Sequence, residues 1–384
     1  MKKFIGLAER AFRHGIVYPL FRLIFKNPVS NRPLELQKIR KLLILRYDRI
    51  GDMIVTTPIF RLLKKAHPHL HIGVVTSALN AGLIKNNPNV DDVYILHANW
   101  FSLWREIRRA RGERYDVVLN FIFNRTTSGG ILANLIARDG FKVGQGDPKY
   151  RFYFNRLLTL ERSGSHMAET LSSIVREVFD LSWDDKELDF EIVVDEESRN
   201  SVDRFLERHA IARRGTEVKR DFGYVVFNLS ATDLVRRISA RQAEDLARSL
   251  AGEKSFRTTL IYAPGDEEMR NVATNLADTS ECVSFPEAGT ASLLEIASLV
   301  EGALCVITPD TAIVHFASAM KTPILGLFTP LQGIHEWLPY KVRHELVTAD
   351  PGKPVSSIPL DVMRKRAMDF IHSKTHFNHS HMPA

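Results

Sequence analysis

Short apolar runs rich in β-branched residues alternate with segments of helical period along this chain, and they do so in two series separated by a charged stretch. In the first series KLLILRYD (41–48) leads through RIGD into MIVTTPIFRLLKKAHP, where Ile54, Ile59, Leu62, Leu63 and Ala66 recur at helical spacing. HIGVVTS (71–77), VDDVYIL (90–96) and YDVVLNFIF (115–123) follow, with helical segments such as 100–111 between them. The second series opens with YVVFNLSA (224–231). It continues with a helix near 239–252, RTTLIYAP (257–264), helices near 266–277 and 291–301, ALCVITPD (303–310) and PILGLF (323–328). Alternating strand and helix requires crossovers, so each series predicts a parallel sheet with helices on both faces. The fold class is α/β: two doubly wound, Rossmann-like domains facing a central cleft. Ligands of such sheets gather beyond the carboxyl ends of the strands, and a ligand spanning both domains sits between them.

A length of 384 residues fits two domains. The chain divides into an N-terminal extension (1–35), a first domain with its linker (36–215), a second domain (216–350), and a C-terminal helix with a His-rich tail (351–384). The charged segments DDKELDFEIVVDEESRN and RHAIARRGTEVKR lie between the two series. Only Cys282 and Cys305 are present, away from any CxxC or Cys/His ligand spacing, which excludes a disulfide scaffold or zinc finger and fits a reducing compartment. The net charge is +7, and residues 1–33 hold seven basic residues against Glu9 alone. The two series are therefore close to neutral, which argues against a nucleic-acid partner and for a basic arm beside an anionic surface.

That arm, FIGLAERAFRHGIVYPLFRLIF (4–25), interleaves aromatic and aliphatic residues with basic ones, and Pro19 should break or kink it. Charges at positions 9, 10 and 13 interrupt any secretory-signal core. Such a helix suits a lipid interface through residues 1–30, and it equally suits packing on its own protein.

Two loops carry the chemistry. Asp52 follows Gly51 after the first strand, near the start of a helix; its carboxylate can take a proton from a hydroxyl, or simply cap the helix. Arg46 and Arg49 of the same loop can meet phosphate or carboxylate. In ITPDTAIVHFASAM (307–320), Asp310 and Thr311 end a strand and Ala312 begins a helix, so backbone N–H groups near 311–313 suit a diphosphate. His315 can donate to a phosphate oxygen or serve only as a structural residue. GxGxxG opening a strand–helix unit, GxxxxGK[ST], HExxH and GxSxG are absent from the sequence. His372, His376, His379 and His381 cluster in a polar tail that reads as disordered rather than as a metal site.

LLILRYDRIGDMIVTTPIFRLLKKAHP (42–68) and CVITPDTAIVHFASAMKTPILGLFTP (305–330) together resemble the bacterial heptosyltransferases of glycosyltransferase family 9. NPNVDDVY (87–94), YDVVLNF (115–121), VFNLSATD (226–233) and TASLLEIASLVEGA (290–303) match the same pattern in the same order, so the resemblance spans about 41–335. It implies a GT-B architecture and an inverting transfer of heptose from an ADP-linked donor to the lipopolysaccharide inner core, with no cofactor or metal. Carried over, Asp52 is the general base. Arg236 or Arg237, Thr311, the Ala312 amide and His315 face the donor phosphates with Asp310, and Glu267 or Glu268 holds the ribose. Arg46, Arg49, Gly51 and Arg125 fall to the acceptor side. NRTTSGG (124–130), Lys142, Lys149, Arg151 and Arg156 are further candidates for an anionic, lipid-linked acceptor. Two departures stand out: Ala312 occupies a position usually held by glycine, and GKPVSSIPLDVM (352–363) replaces a cysteine-bearing segment. Another nucleotide-sugar transferase, a nucleotide-sugar epimerase and a non-catalytic, membrane-associated nucleotide binder are the competing readings. The expected location is the cytoplasmic face of the inner membrane, as a peripheral protein.

Overall fold

The computed structural model describes residues 18–25, 27–123, 126–159, 164–216, 222–279, 282–331 and 333–373. Residues 4–17 of the arm, Arg125, and His376, His379 and His381 lie outside them. The chain forms two compact units, the first within Met1–Ser163 and Ala168–Leu188, the second Gly164–Met167 and Asp189–Ala384.

The first unit holds strands β1 (Lys41–Leu45), β2 (His71–Ser77), β3 (Asp92–Leu96), β4 (Val117–Asn120), β5 (Phe141–Gln145) and β6 (Arg156–Leu158). They form one sheet in the order β3-β2-β1-β4-β5-β6, every pairing parallel. Four of the five residues of β1 are buried, as a strand covered on both faces requires. Its helices are α1 (Tyr18–Ile24), α2 (Ile50–Ala66), α3 (Trp100–Gly112), α4 (Thr126–Ile136) and α5 (Met167–Phe179). Pro58 lies inside α2 and cannot donate to the Ile54 carbonyl, which instead accepts from the Thr57 hydroxyl at 2.7 Å.

The second unit repeats this plan with β7 (Gly223–Asn228), β8 (Phe256–Ile261), β9 (Val283–Ser284), β10 (Cys305–Pro309), β11 (Ile324–Phe328) and β12 (His344–Thr348). The order β12-β11-β10-β7-β8-β9, read from its other edge, is that of the first sheet. Helices α6 (Glu196–Arg208), α7 (Ala240–Ala251), α8 (Glu267–Asp278), α9 (Leu293–Gly302), α10 (Ala312–Ala319) and α11 (Leu360–His372) cover it. Residues 189–215, grouped with the first domain in the sequence, belong here. Val202, Phe205 and Leu206 of α6 are buried, and Ser201 and Arg199 bond Glu295 and Glu301 of α9 at 2.6 and 2.7 Å. The C-terminal α11 likewise adds Met363, Ala367, Phe370 and Ile371 to this unit's core.

The described end of the N-terminal arm packs on its own unit by one face. Pro19 lies within the described part of α1. The ring of Tyr18 lies 5.9 Å from those of Tyr150 and Phe152, and Phe21 and Phe25 lie 6.1 and 5.7 Å from Tyr153. Leu20, Leu23 and Ile24 remain exposed on the other face.

Candidate functional site

In each sheet the first and fourth strands are neighbours whose chain connections run to opposite sides, and the loops at this switch point hold the polar clusters. In the first unit the loop after β1 carries Arg46, Asp48, Arg49, Gly51 and Asp52. Arg49 is the N-cap of α2 and makes no side-chain cap, and Asp52 falls in the first turn. Asp52 is thus not the cap. Its Oδ1 accepts from Arg46 Nη2 at 3.2 Å, and its carbonyl accepts from Arg46 Nε at 3.0 Å. The Thr56 hydroxyl adds a 2.8 Å bond to the same carbonyl.

The structure corrects the reading of Arg46 as an acceptor ligand. Its side chain is 0% exposed, and a buried guanidinium must have its N–H groups paired within the protein. Asp48 accepts from Nη1 at 3.2 Å, and the Phe121 carbonyl after β4 also accepts from Nη1. Arg46 therefore ties the two switch-point loops together and fixes Asp52. Burial pushes the Asp48 carboxyl up to about 6; Arg46 opposes the rise and the neighbouring Asp52 adds to it. Asp48 Oδ1 is buried with no hydrogen-bond partner, as suits a group inclined to keep a proton. Asn80, which the sequence reading missed, is fully buried and donates to the Arg46 carbonyl at 2.9 Å while its Oδ1 accepts from the Ser77 amide at 3.0 Å. The pattern SALN after β2 looks like an ordinary polar turn, so no sequence signal marked it.

Other acceptor candidates disperse. Arg125 lies outside the described residues. From Thr126 onward NRTTSGG belongs to α4. Lys142 is buried, donating to the carbonyls of Arg138 and Gly140 at 3.0 and 2.8 Å, with burial lowering its ammonium to about 8. Arg156 pairs with Glu177 at 2.6 Å and Lys149 with Asp147 at 3.0 Å, whereas Arg151 is exposed. Among the described residues, His71, Asp92 and Glu113 could hold a metal ion by their spacing. They lie at the opposite edge from Asp52, already bonded as His71–Asp92 (2.8 Å) and Lys41–Glu113 (2.5 Å).

In the second unit Thr311 is the N-cap of α10, its hydroxyl accepting from the Ile313 amide at 3.3 Å. Asn228 at the end of β7 donates to Thr308 and Thr311 hydroxyls at 2.9 and 3.1 Å, which fixes the α10 N-terminus against the loop after β7. Arg236 from that loop pairs with Asp310 at 3.2 Å, and its Nε is buried without a partner. Arg237 instead donates to the Ala231 carbonyl at 2.7 Å, so of the two arginines it is Arg236 that joins the Asp310–Thr311–Ala312 group. Glu267 and Glu268 are exposed in the first turn of α8, Glu267 paired with Arg270 at 3.3 Å.

The surroundings of His315 disfavour a cation. It is 4% exposed, and burial, with His166 nearby, lowers its imidazolium to about 3. Its ring sits 5.9, 6.3 and 6.5 Å from those of Trp337, Phe190 and His166, and burial lowers His166 itself to about 4. An apolar aromatic setting offers a proton no compensation, so His315 contributes at most the N–H of a neutral ring. A separate cavity of about 640 Å³ runs beside β8 and β9, lined by Arg208, Arg257, Tyr262, Arg270 and Glu287. It contains none of the Arg236–Thr311 group, and the convergence of polar groups on the α10 N-terminus is the stronger mark of an anion site.

Residues 100–356 match glycosyltransferase family 9 (heptosyltransferase). Lipopolysaccharide core heptosyltransferase OpsX of Haemophilus influenzae is 20% identical over 354 residues, which cover 85% of this chain and 91% of that protein. A glycosyl transferase family 9 structure from Veillonella parvula superposes with a TM-score of 0.75 at 19% identity, over 90% of this chain and all of that one (100%). The E. coli heptosyltransferase WaaC, solved with ADP-2-deoxy-2-fluoro heptose, gives 0.64 at 19% identity over 86% of this chain and 99% of that one. The paired parallel sheets are thus the two Rossmann-like domains of a GT-B fold. The family match takes in the segment 305–330 that carried half of the resemblance, with 42–68 outside the matched span, and the chain belongs to glycosyltransferase family 9, the heptosyltransferases.

Proposed function

We propose that this glycosyltransferase is an inverting, metal-independent heptosyltransferase that moves heptose from ADP-heptose to the inner core of lipopolysaccharide. The observation that carries the reading is the Asp52 carboxylate, fixed by a buried arginine at a sheet switch point. The first unit binds the acceptor and the second the donor. Asp52 accepts the proton of an acceptor hydroxyl while that oxygen forms a bond to the anomeric carbon and the bond to the ADP oxygen breaks. Arg236, the Thr311 hydroxyl and the Ala312 amide stabilise the charge that develops on the departing diphosphate, work that oriented donors do well in a water-poor site. OpsX, a core heptosyltransferase by name, and WaaC, bound to an ADP-sugar analogue, support this donor and acceptor. A lipid-linked acceptor and the basic arm support a location on the cytoplasmic face of the inner membrane, with contact through residues 1–30.

The test is ADP release from ADP-heptose with and without an inner-core acceptor. Acceptor-dependent release that collapses in Asp52→Asn supports the reading, and release that ignores the acceptor refutes it. Ala312 favours a second reading, a different nucleotide sugar, because its methyl stands at the first position of α10 where the diphosphate would approach. A screen of nucleoside diphosphates against wild type and Ala312→Gly separates the two: a donor change is indicated if wild type prefers another base and the glycine variant moves towards ADP.

A further inference from the structure

The first unit exposes an amphipathic face on α3 that no described residue of the unit covers, and we propose that it docks on an anionic lipid bilayer. Trp100 and Phe101 open the helix at 64% and 83% exposure. Asn99 caps the start of this helix by accepting from the backbone amides of Phe101 and Ser102 at 2.9 and 3.3 Å. Trp104 packs edge-on against Trp100 with ring centroids 5.4 Å apart, one turn further on. Behind this aromatic end, on the same outward stripe by helical spacing, stand Arg105, Arg108 and Arg111, all exposed. The only acid of the helix, Glu106, is buried and paired with Arg109 at 2.8 Å and with Arg105 at 3.4 Å, which leaves Arg108 and Arg111 as the cations of this face. The opposite stripe is committed to the core through Leu103, Ile107 and Ala110.

A protein-binding face would be expected to carry polar partners of both signs. This one offers indole and phenyl rings at one end and, along the rest, the guanidinium groups of Arg108 and Arg111, which have no acidic partner among the described residues, the pairing that suits the boundary between acyl chains and anionic headgroups. Its position in the sheet adds to the argument. Asp52 follows β1, the exposed Leu79 (66%) follows β2, and Trp100 follows β3, so three loops in a row at one edge run from the candidate base to the aromatic end. Two strand spacings separate β1 from β3, about 10 Å. Docking by α3 thus brings the edge that bears Asp52 down to the bilayer, where a lipid-linked acceptor is presented. Binding itself does not depend on which sugar is moved; its use in presenting the acceptor rests on the transfer proposed above.

Co-sedimentation with vesicles of phosphatidylglycerol and phosphatidylethanolamine, against pure phosphatidylcholine, tests the proposal on the full-length chain. Wild type should bind the anionic vesicles and lose them in high salt. Trp100→Ser with Phe101→Ser should weaken partitioning at least tenfold. Arg108→Gln and Arg111→Gln together should weaken it by about fivefold per arginine and reduce the salt dependence to what the basic arm contributes. All are surface changes, so thermal unfolding and turnover on a delipidated, water-soluble acceptor should stay at wild-type levels. Unchanged partitioning of both variants overturns the proposal, as does wild-type self-association through this face without vesicle binding. Vesicle binding lost in the variants, with no turnover on the soluble acceptor even in wild type, would uphold the docking and sink the transfer reading instead.

Discussion

The two units share one strand order and use its switch point from opposite sides. In the first, the side chains that matter leave the first strand, β1, and the fourth, β4, lends only the Phe121 carbonyl. In the second, they leave the fourth strand, β10, and the first, β7, lends Asn228 and the loop bearing Arg236. The materials differ as well. The Asp52 loop is built of charge, two carboxylates on one buried guanidinium. The Thr311 loop is built mostly of hydroxyls, an amide side chain and backbone N–H groups, with one Arg236–Asp310 ion pair at its rim and histidines that burial disfavours as cations. A charged group that must move a proton is fixed by another charge, whereas a site for a diphosphate needs donors already in place and little reorganisation.

The largest effect should come from Asp52→Asn, which keeps the shape and removes the proton acceptor. Turnover should fall by about 10²–10⁴-fold with ADP affinity changed less than twofold, read by steady-state kinetics beside calorimetric titration. A parallel loss of donor affinity would mean the two loops are not chemically distinct. Next comes Arg46→Met. Two carboxylates lose their buried partner, and removal of one member of a buried pair typically costs about 3–5 kcal/mol. Denaturant unfolding should show that loss, and adding Asp48→Asn should recover part of it, because the remaining site then holds one negative charge instead of two.

Arg46 also shows where the sequence falls short. The strand, the loop and the acidic residue at 52 were legible, since apolar runs and helical period are local signals, and so was the α/β class of both units. That Arg46 faces inward was not, because a loop arginine carries no mark of burial; only the packing of β1, β2 and β4 around it decides that. The same holds for Lys142, whose ammonium is satisfied by two carbonyls of the α4–β5 turn. His315 was rightly located at the start of a helix, but its neutrality depends on Phe190, Trp337 and His166, distant in sequence. Strands β5, β6, β9 and β12 and helices α4, α5 and α6 escaped notice; β6 and β9 because three- and two-residue strands have no periodicity to read, and α6 because its charged sequence hides a narrow apolar stripe.

Arg236→Gln should have a smaller effect, confined to the second unit. A charge-assisted contact to the diphosphate is worth roughly 1.5–3 kcal/mol, so donor affinity should weaken about tenfold to a hundredfold. Acceptor KM at saturating donor should hold. Arg237→Gln serves as the control, since its guanidinium is engaged with the Ala231 carbonyl, and an equal loss in both variants would remove the distinction between them.

The smallest effect is a pH dependence of opposite sign in the two units. Asp48 titrates at about 6 in the folded chain against an ordinary 3.8, so the folded state takes up a proton first as the pH falls. Its contribution to stability therefore rises between pH 6 and 3.8 and is lost again as the pH climbs through 6. His166 and His315, at about 4 and 3 against 6.5, run the other way. Below pH 6.5 the unfolded chain binds protons that the folded chain refuses, and stability falls by up to about 1.4 kcal/mol per pH unit for each histidine. Two groups against one leave a net loss on acidification below pH 6 of about one histidine's worth, about 1.4 kcal/mol per unit. Thermal unfolding between pH 7.5 and 5 should show this decline in wild type. Asp48→Asn should steepen it by removing the opposing carboxyl, and His315→Gln should flatten it. Identical slopes in all three proteins would show that neither buried group titrates as its surroundings dictate, and the contrast between a charged and a neutral switch point would lose its electrostatic basis.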